Sequence, residues 1–199
     1  MSNKVLIVID VQNDFCPGGA LAVDDGDAVV PVINALMGEF PHVVLTQDWH
    51  PAGHSSFASS HPGKAPFDDT DMPYGPQRLW PDHCVIGSDG AAFHPDLETS
   101  RAELIIRKGF RPGIDSYSAF FENDHQTPTG LTGYLRERGL TDLTLVGLAT
   151  DFCVAYSALD AVKQGFSASV LLKACRGIDL AGSMETMMGK MRDAGVEIN

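Results

Sequence analysis

Three residues able to do chemistry stand where apolar runs of the chain stop. Asp10 closes "KVLIVID" (4–10), Lys108 lies near the end of "AELIIRKG" (102–109), and Cys153 comes three residues after "DLTLVGLAT" (142–150). A carboxylate can take a proton, a thiol can attack a carbonyl carbon, and a nearby ammonium stabilises both as anions. Each also has a plainer reading: Asp10 as a turn or helix cap, Lys108 as a surface charge, Cys153 as a small buried hydrophobe. Against the last, "GLATDFCV" puts the thiol in the first turn of a helix, with Thr150 or Asp151 as the N-cap. The helix end there favours a thiolate, and its free N–H groups could hold an oxyanion. Cys84 beside His83 is a weaker rival nucleophile, and Cys16 and Cys175 read as structural.

A second cluster ends the run "HVVLTQD" (42–48). Residues two apart on an extended chain face the same side, so Asp48 and His50 point together. The turn "PAGH" can fold His54 back toward them, and His83 in "LWPDHC" could join from further along. A mixed carboxylate–imidazole set suits Zn²⁺, Fe²⁺ or Mn²⁺. The plainer alternative is a solvated polar cluster at the surface.

The elements that must hold these residues are legible as alternation. The runs at 4–10, 42–48, 102–109, 142–150 and 168–175, with a short one at 195–198, are near-continuous rather than alternating. That suits strands buried on both faces of a parallel sheet. Helical patterns lie between them at 27–40, 129–139, 153–165 and, more weakly, 183–195. Alternating strands and helices predict a single-domain α/β fold over 1–199, doubly wound, with a mostly parallel five- or six-stranded sheet and helices on both faces. Ligands of such sheets bind beyond the carboxyl ends of the strands, where the residues above converge. The stretch 51–100 is rich in Pro, Gly, Ser, Asp and His without periodicity, and it also carries Trp80. A long irregular segment of that composition reads as a functional one.

Composition narrows the partners. A net charge of −12 argues against nucleic acid or an anionic membrane, both of which require clustered Lys and Arg. The opening "MSNKVLIVID" has too short an apolar run for a signal-peptide core or a membrane span. Four scattered cysteines without a CxxC pair then read as free thiols in a reducing compartment, the cytoplasm.

Taken together, "VIDVQNDFCPGGAL", "TQDWHP", "LWPDHCVIGSDGAAFHPDL", "IRKGF", "IDSYSAF" and "VGLATDFCVAYSALDAVKQGF" run in order from 8 to 166, with "CRGID" beyond. The chain resembles the nicotinamidase/pyrazinamidase branch of the isochorismatase-like cysteine hydrolases. The "DWH" and "WPDHC" pieces are expected in that branch and absent from isochorismatases. The resemblance implies Asp10, Lys108 and Cys153 as a catalytic triad, and Asp48, His50 and His83 as ligands of one divalent metal, with His54 a fourth in some members. It implies a cis peptide between Leu148 and Ala149, an oxyanion site from the N–H groups of Ala149 and Cys153, and Phe15, Trp80 and Tyr117 as walls of a pyridine pocket. Gln12 and Asn13 match the motif without an assigned role. The implied activity is hydrolysis of nicotinamide to nicotinate and ammonia through a Cys153 thioester, extending to pyrazinamide, with a place in NAD salvage. No organic cofactor is expected. The expected partner is a small pyridine carboxamide, and a homo-oligomer stays open.

Overall fold

The apolar runs become strands in a computed structural model that describes residues 2–199. In chain order these are β1 (Lys4–Ile9), β2 (Val43–Asp48), β3 (Asp69–Met72), β4 (Gly75–Arg78), β5 (Leu104–Lys108), β6 (Asp142–Leu148), β7 (Ser167–Arg176) and β8 (Glu197–Ile198). Four helices separate them: α1 (Val29–Met37), α2 (Leu131–Glu137), α3 (Ala155–Lys163) and α4 (Ser183–Asp193). Pro31 sits in the first turn of α1, where a missing N–H removes no helical bond. Helices α2 and α3 end two residues before Gly139 and Gly165, whose positive φ turns the chain out of the helix.

One sheet of six strands, ordered β5–β2–β1–β6–β7–β8, carries the molecule. Every neighbouring pair in it is parallel. Parallel crossovers are right-handed, so α1, travelling one way across the sheet, and α2–α4, travelling the other, cover opposite faces. Val5, Leu6, Ile7 and Ile9 at the centre are wholly buried, and α1 rests against β6 and β7 while α3 packs on β7 and α4.

Two expectations need correction. The run that becomes β5 is not buried on both faces: as an edge strand it alternates, and Ile105 is 45% exposed. The segment 51–100 is not wholly irregular, because β3 and β4 pair as an antiparallel hairpin. Its polar, Pro-containing strands ("DTDM", "GPQR") carry no apolar alternation to announce it.

The strand order reverses between β1 and β6. At that switch point the loops leave the sheet in opposite directions and open a crevice. Gly147 lets the two strands approach there. It has φ +115°, at the register shift of β6, and a Cβ on it would lie 2.1 Å from the Ile9 carbonyl oxygen. Gly147→Ala is therefore expected to destabilise the fold by about 3 kcal/mol, since strained backbone and overpacking both apply. Thermal unfolding should show it as a drop of roughly 6–12 °C in Tm; an unchanged Tm would contradict the close approach.

Candidate active site

Asp10 leaves the end of β1 in a left-handed conformation, φ 47°, a region that Asp tolerates better than most residues. Thr46 of β2 holds it there. The Thr46 hydroxyl accepts from the Asp10 N–H at 3.1 Å and donates to Asp10 Oδ1 at 2.6 Å. Thr46, Asp48 and His50 share one parity along the strand and its extension, which is the sequence signal that identifies Thr46 with the site.

Lys108 ends β5, in register with Asp48 of β2. Its buried Nζ lies 2.8 Å from Asp10 Oδ2, 3.0 Å from Asp48 Oδ1, 2.8 Å from the Ser116 carbonyl oxygen and 3.5 Å from Cys153 Sγ. Burial disfavours the ammonium, but Asp10 and then Asp48 outweigh that and hold its pKa well above the ordinary lysine value. Asp10 is shifted up, chiefly by burial and also by Asp48, against the opposing pull of Lys108.

Cys153 lies in a π-helical turn, Thr150–Val154, that runs directly into α3. Phe152 N–H and Val154 N–H both donate to the Ala149 carbonyl, and the Leu148–Ala149 peptide is cis. Neither Thr150 nor Asp151 caps this turn. The Asp151 carboxylate turns instead to the loop before α4, accepting from the N–H groups of Ile178 and Asp179 and from the Ser183 hydroxyl. The expected resting thiolate is also corrected. Burial, with Asp10 and Asp48 adding to it against Lys108, pushes the Cys153 thiol well above its usual value. That direction favours a thiol over a thiolate at rest.

The second cluster assembles next to the first. His50 Nε2 is 2.9 Å and His83 Nε2 3.3 Å from Asp48 Oδ2, and all three residues are buried. Each imidazole is fixed by a backbone carbonyl: His50 Nδ1 by Gly109 at 2.9 Å, His83 Nδ1 by Pro81 at 2.8 Å. With Nδ1 donating, both Nε2 lone pairs face one carboxylate. Acceptors converge this closely only around a proton or a cation. Burial lowers His50, yet Asp48 outweighs it and lifts the imidazole pKa to about 9. Asp48 is depressed well below the carboxylate range, since His50 and Lys108 overcome the effect of burial. The donor set thus fits a divalent ion that would take the place of the His50 proton.

His54 is close but differently engaged. Its ring lies 4.5 Å from that of His50, with Nε2 directed at the Arg111 and Ile114 carbonyls and Nδ1 accepting from the Ser56 N–H. Both of its ring nitrogens are therefore occupied by protein groups. Cys84 faces burial and the same carboxylates, which push its thiol well above its usual value.

Phe15, Trp80 and Tyr117 line one cleft together with Asp48, His83, Ala149 and Cys153, about 340 Å³ counted out to its mouth. Trp80 Nε1 donates to the Tyr117 hydroxyl at 3.1 Å, and so does Gln77 Nε2 at 3.0 Å. Leu21, Asp115, Phe152 and Ile178 complete the lining. Sequence reasoning gave none of these four a place in the site, because they come from loops and turns without periodicity. Gln12 gains a role: its buried side chain donates to the Asp48 carbonyl at 2.8 Å and accepts from the Asp48 N–H at 2.8 Å, fixing the end of β2. Asp14 accepts from the Cys84 N–H and so ties the first loop to the segment holding His83.

Known proteins resemble this chain over nearly its whole length. Residues 4–198 match the Isochorismatase domain family. A nicotinamidase of Acinetobacter baylyi is 54% identical, over 98% of this chain and 92% of its own. A solved nicotinamidase/pyrazinamidase of Acinetobacter baumanii is 58% identical with a TM-score of 0.98, covering 100% of this chain and 96% of that one. A pyrazinamidase of Pyrococcus horikoshii, solved in complex with zinc, is 34% identical with a TM-score of 0.80, covering 100% and 99%.

Two outcomes are expected at the site. The Thr46 hydrogen bond holds the Asp10 pKa down, so Thr46→Val should raise it further. A base with a higher pKa is ionised only at higher pH, so the acid limb of the kcat/KM profile should move upward; an unmoved limb would show that Thr46 does not act on Asp10. Gly109 has φ +69°, and a Cβ there would lie 2.5 Å from His50 Cε1. Gly109→Ala should weaken Zn²⁺ retention against a competing chelator by about 10–100-fold.

Proposed function

This chain belongs to the isochorismatase-domain family, and from that premise we propose that it is a nicotinamidase, hydrolysing nicotinamide to nicotinate and ammonia. The observation that carries the reading is the buried Lys108 ammonium, in contact with Asp10, Cys153 and Asp48 at one end of one cleft. Chemistry and substrate anchoring are thereby drawn into a single pocket.

Asp10 takes the Cys153 proton as the sulfur attacks the carboxamide carbon, so that no free thiolate has to persist in a buried, negatively charged site. The N–H groups of Ala149 and Cys153 face the developing oxyanion; one such donor is typically worth ~3 kcal/mol of barrier. Asp10 returns its proton to the departing nitrogen, which leaves as ammonia, and a thioester remains on Cys153. Asp10 then takes a proton from water, whose oxygen attacks the thioester carbon; the C–S bond breaks, Asp10 returns that proton to the sulfur, and the acid departs. Lys108 keeps Asp10 ionisable through the cycle.

Asp48, His50 and His83 would hold one divalent cation, zinc, iron or manganese, which when bound supplies an anchor for the ring nitrogen of the pyridine. His54 lies beside His50 and, with His50 and Asp115, makes a second group able to hold an ion, so it stands as an additional, outer candidate ligand. Phe15, Trp80 and Tyr117 clasp the ring. Pyrazinamide offers a ring nitrogen too and falls within the same substrate class. Such an activity would serve salvage of pyridine nucleotides, and the four free cysteines suit the reducing cytoplasm. Among the described residues no helix is long and apolar enough to cross a membrane.

Purified protein should release ammonia from nicotinamide and pyrazinamide and far less from benzamide, which lacks the ring nitrogen. Cys153→Ala should abolish that release while retaining the full metal content. Loss of metal in the same variant would mean that the two clusters have been wrongly separated.

A further inference from the structure

Phe152 lies between two spaces. It lines the substrate cleft with Trp80 and Tyr117, and it also lines a second groove beyond, about 890 Å³ counted out to open solvent. Tyr117 is the other residue common to both. The Phe152 ring stands edge-on to Trp80 at 5.0 Å and to Tyr117 at 5.8 Å, so the three rings brace one another. It is only half-buried, with the groove on its far side. Behind it the groove has a mixed lining, apolar at Tyr156, Leu180 and Met187 and polar at Arg78, Thr186 and Lys190.

The chain position of Phe152 decides which part of a substrate it meets. Cys153 turns its sulfur toward Asp10 and Lys108, where the carboxamide carbon must sit. Phe152 instead meets Trp80 and Tyr117, the rings that clasp the heterocycle. It therefore bounds the ring and not the reacting group. We propose that Phe152 is the specificity-determining partition of this site, limiting it to pyridine carboxamides without a bulky ring substituent, and that the groove behind it is a latent subsite for ring-substituted ones. This inference rests on the nicotinamidase reading and adds to it the residue that sets the size limit of the substrate.

The physical basis is the asymmetry of an apolar wall. A rigid aromatic side chain braced on two sides cannot swing clear without losing both contacts, so each added carbon on the ring meets it. Discrimination of that kind is worth about 10–200-fold per methylene-sized group. Truncating the ring joins the cleft to the groove and leaves Asp10, Lys108 and Cys153 untouched.

The test compares the unmodified protein, Phe152→Ala and Phe152→Leu on nicotinamide, 5-methylnicotinamide and 5-phenylnicotinamide, read as kcat/KM for ammonia release. Relative to nicotinamide, the substituted amides should gain at least about tenfold in Phe152→Ala, with a smaller gain in Phe152→Leu. Metal content should be unchanged in both, because neither substitution touches Asp48, His50 or His83. A ratio that stays the same in both variants, with nicotinamide still hydrolysed by the unmodified protein, overturns the partition alone. No ammonia from any amide with the unmodified protein overturns the underlying reading as well. Phe152→Leu, the milder truncation, keeps the comparison open should Phe152→Ala fold poorly.

Discussion

One buried ammonium organises this molecule. Lys108 has three N–H groups to place, and it finds Asp10, Asp48 and the Ser116 carbonyl within 3.0 Å, with the Cys153 sulfur just outside. A buried ion pair of this kind is a weak contributor to net stability, because desolvation offsets much of the attraction. Breaking it is another matter, since removal of the lysine would leave two carboxylates facing each other without water. The arrangement is better understood as a device that keeps a base ionisable in a dry site. It also couples the two clusters: whatever changes the charge on Asp48 is felt through Lys108 at Asp10 and Cys153.

The sheet supplies that lysine with its partners. Asp10, Asp48 and Lys108 end strands that are adjacent in the order β5–β2–β1, and Cys153 follows β6 on the other side of β1. Strand spacing of ~4.8 Å sets how far apart such groups stand, and side chains reaching from neighbouring ends meet without any loop having to be placed accurately. This explains why the residues proposed to react stand out in the sequence: Asp10 and Lys108 come at the ends of apolar runs, Cys153 shortly follows one, and the runs are the strands. The same logic left Thr46 unread although its parity matched Asp48 and His50, because a threonine inside an apolar run reads as strand propensity first. The thiolate expectation failed for a related reason. A helix end favours a thiolate locally, whereas the two carboxylates that oppose it arrive from 105 or more positions away in the chain.

The pocket side was less legible because it is assembled by polar contacts between distant loops. Gln77 of β4 is buried, and its amide donates to Asp115 Oδ2 at 2.9 Å and to the Tyr117 hydroxyl at 3.0 Å, while Asn123 donates back to its carbonyl oxygen at 3.0 Å. A glutamine inside "YGPQR" gives no sign of being a tie between a hairpin and an aromatic wall. Satisfied buried networks of this type specify a single arrangement, since each missing partner leaves a costly orphan. They also help to order 51–100 without periodic apolar residues: that segment is held by Asp14 at the Cys84 N–H, by Gln12 at Ala91 and by Gln77, together with scattered buried side chains such as Phe57 and Leu79.

Two construction principles thus meet at one cleft, and they constrain the protein differently. The groups proposed to react are carried on or just beyond strand ends, where a shift of one residue would reverse every side chain and disperse the cluster. The walls come from loops, which can exchange one side chain for another while the sheet stays as it is. Phe152 stands at the border, one residue before the nucleophile in a turn fixed by the sheet, yet with its ring among the loop-borne aromatics. Its backbone is held by the requirement that Cys153 reach Asp10 and Lys108. Its side chain is bound by no such requirement. A position of that kind can alter which ring the cleft admits without altering what is done to the amide.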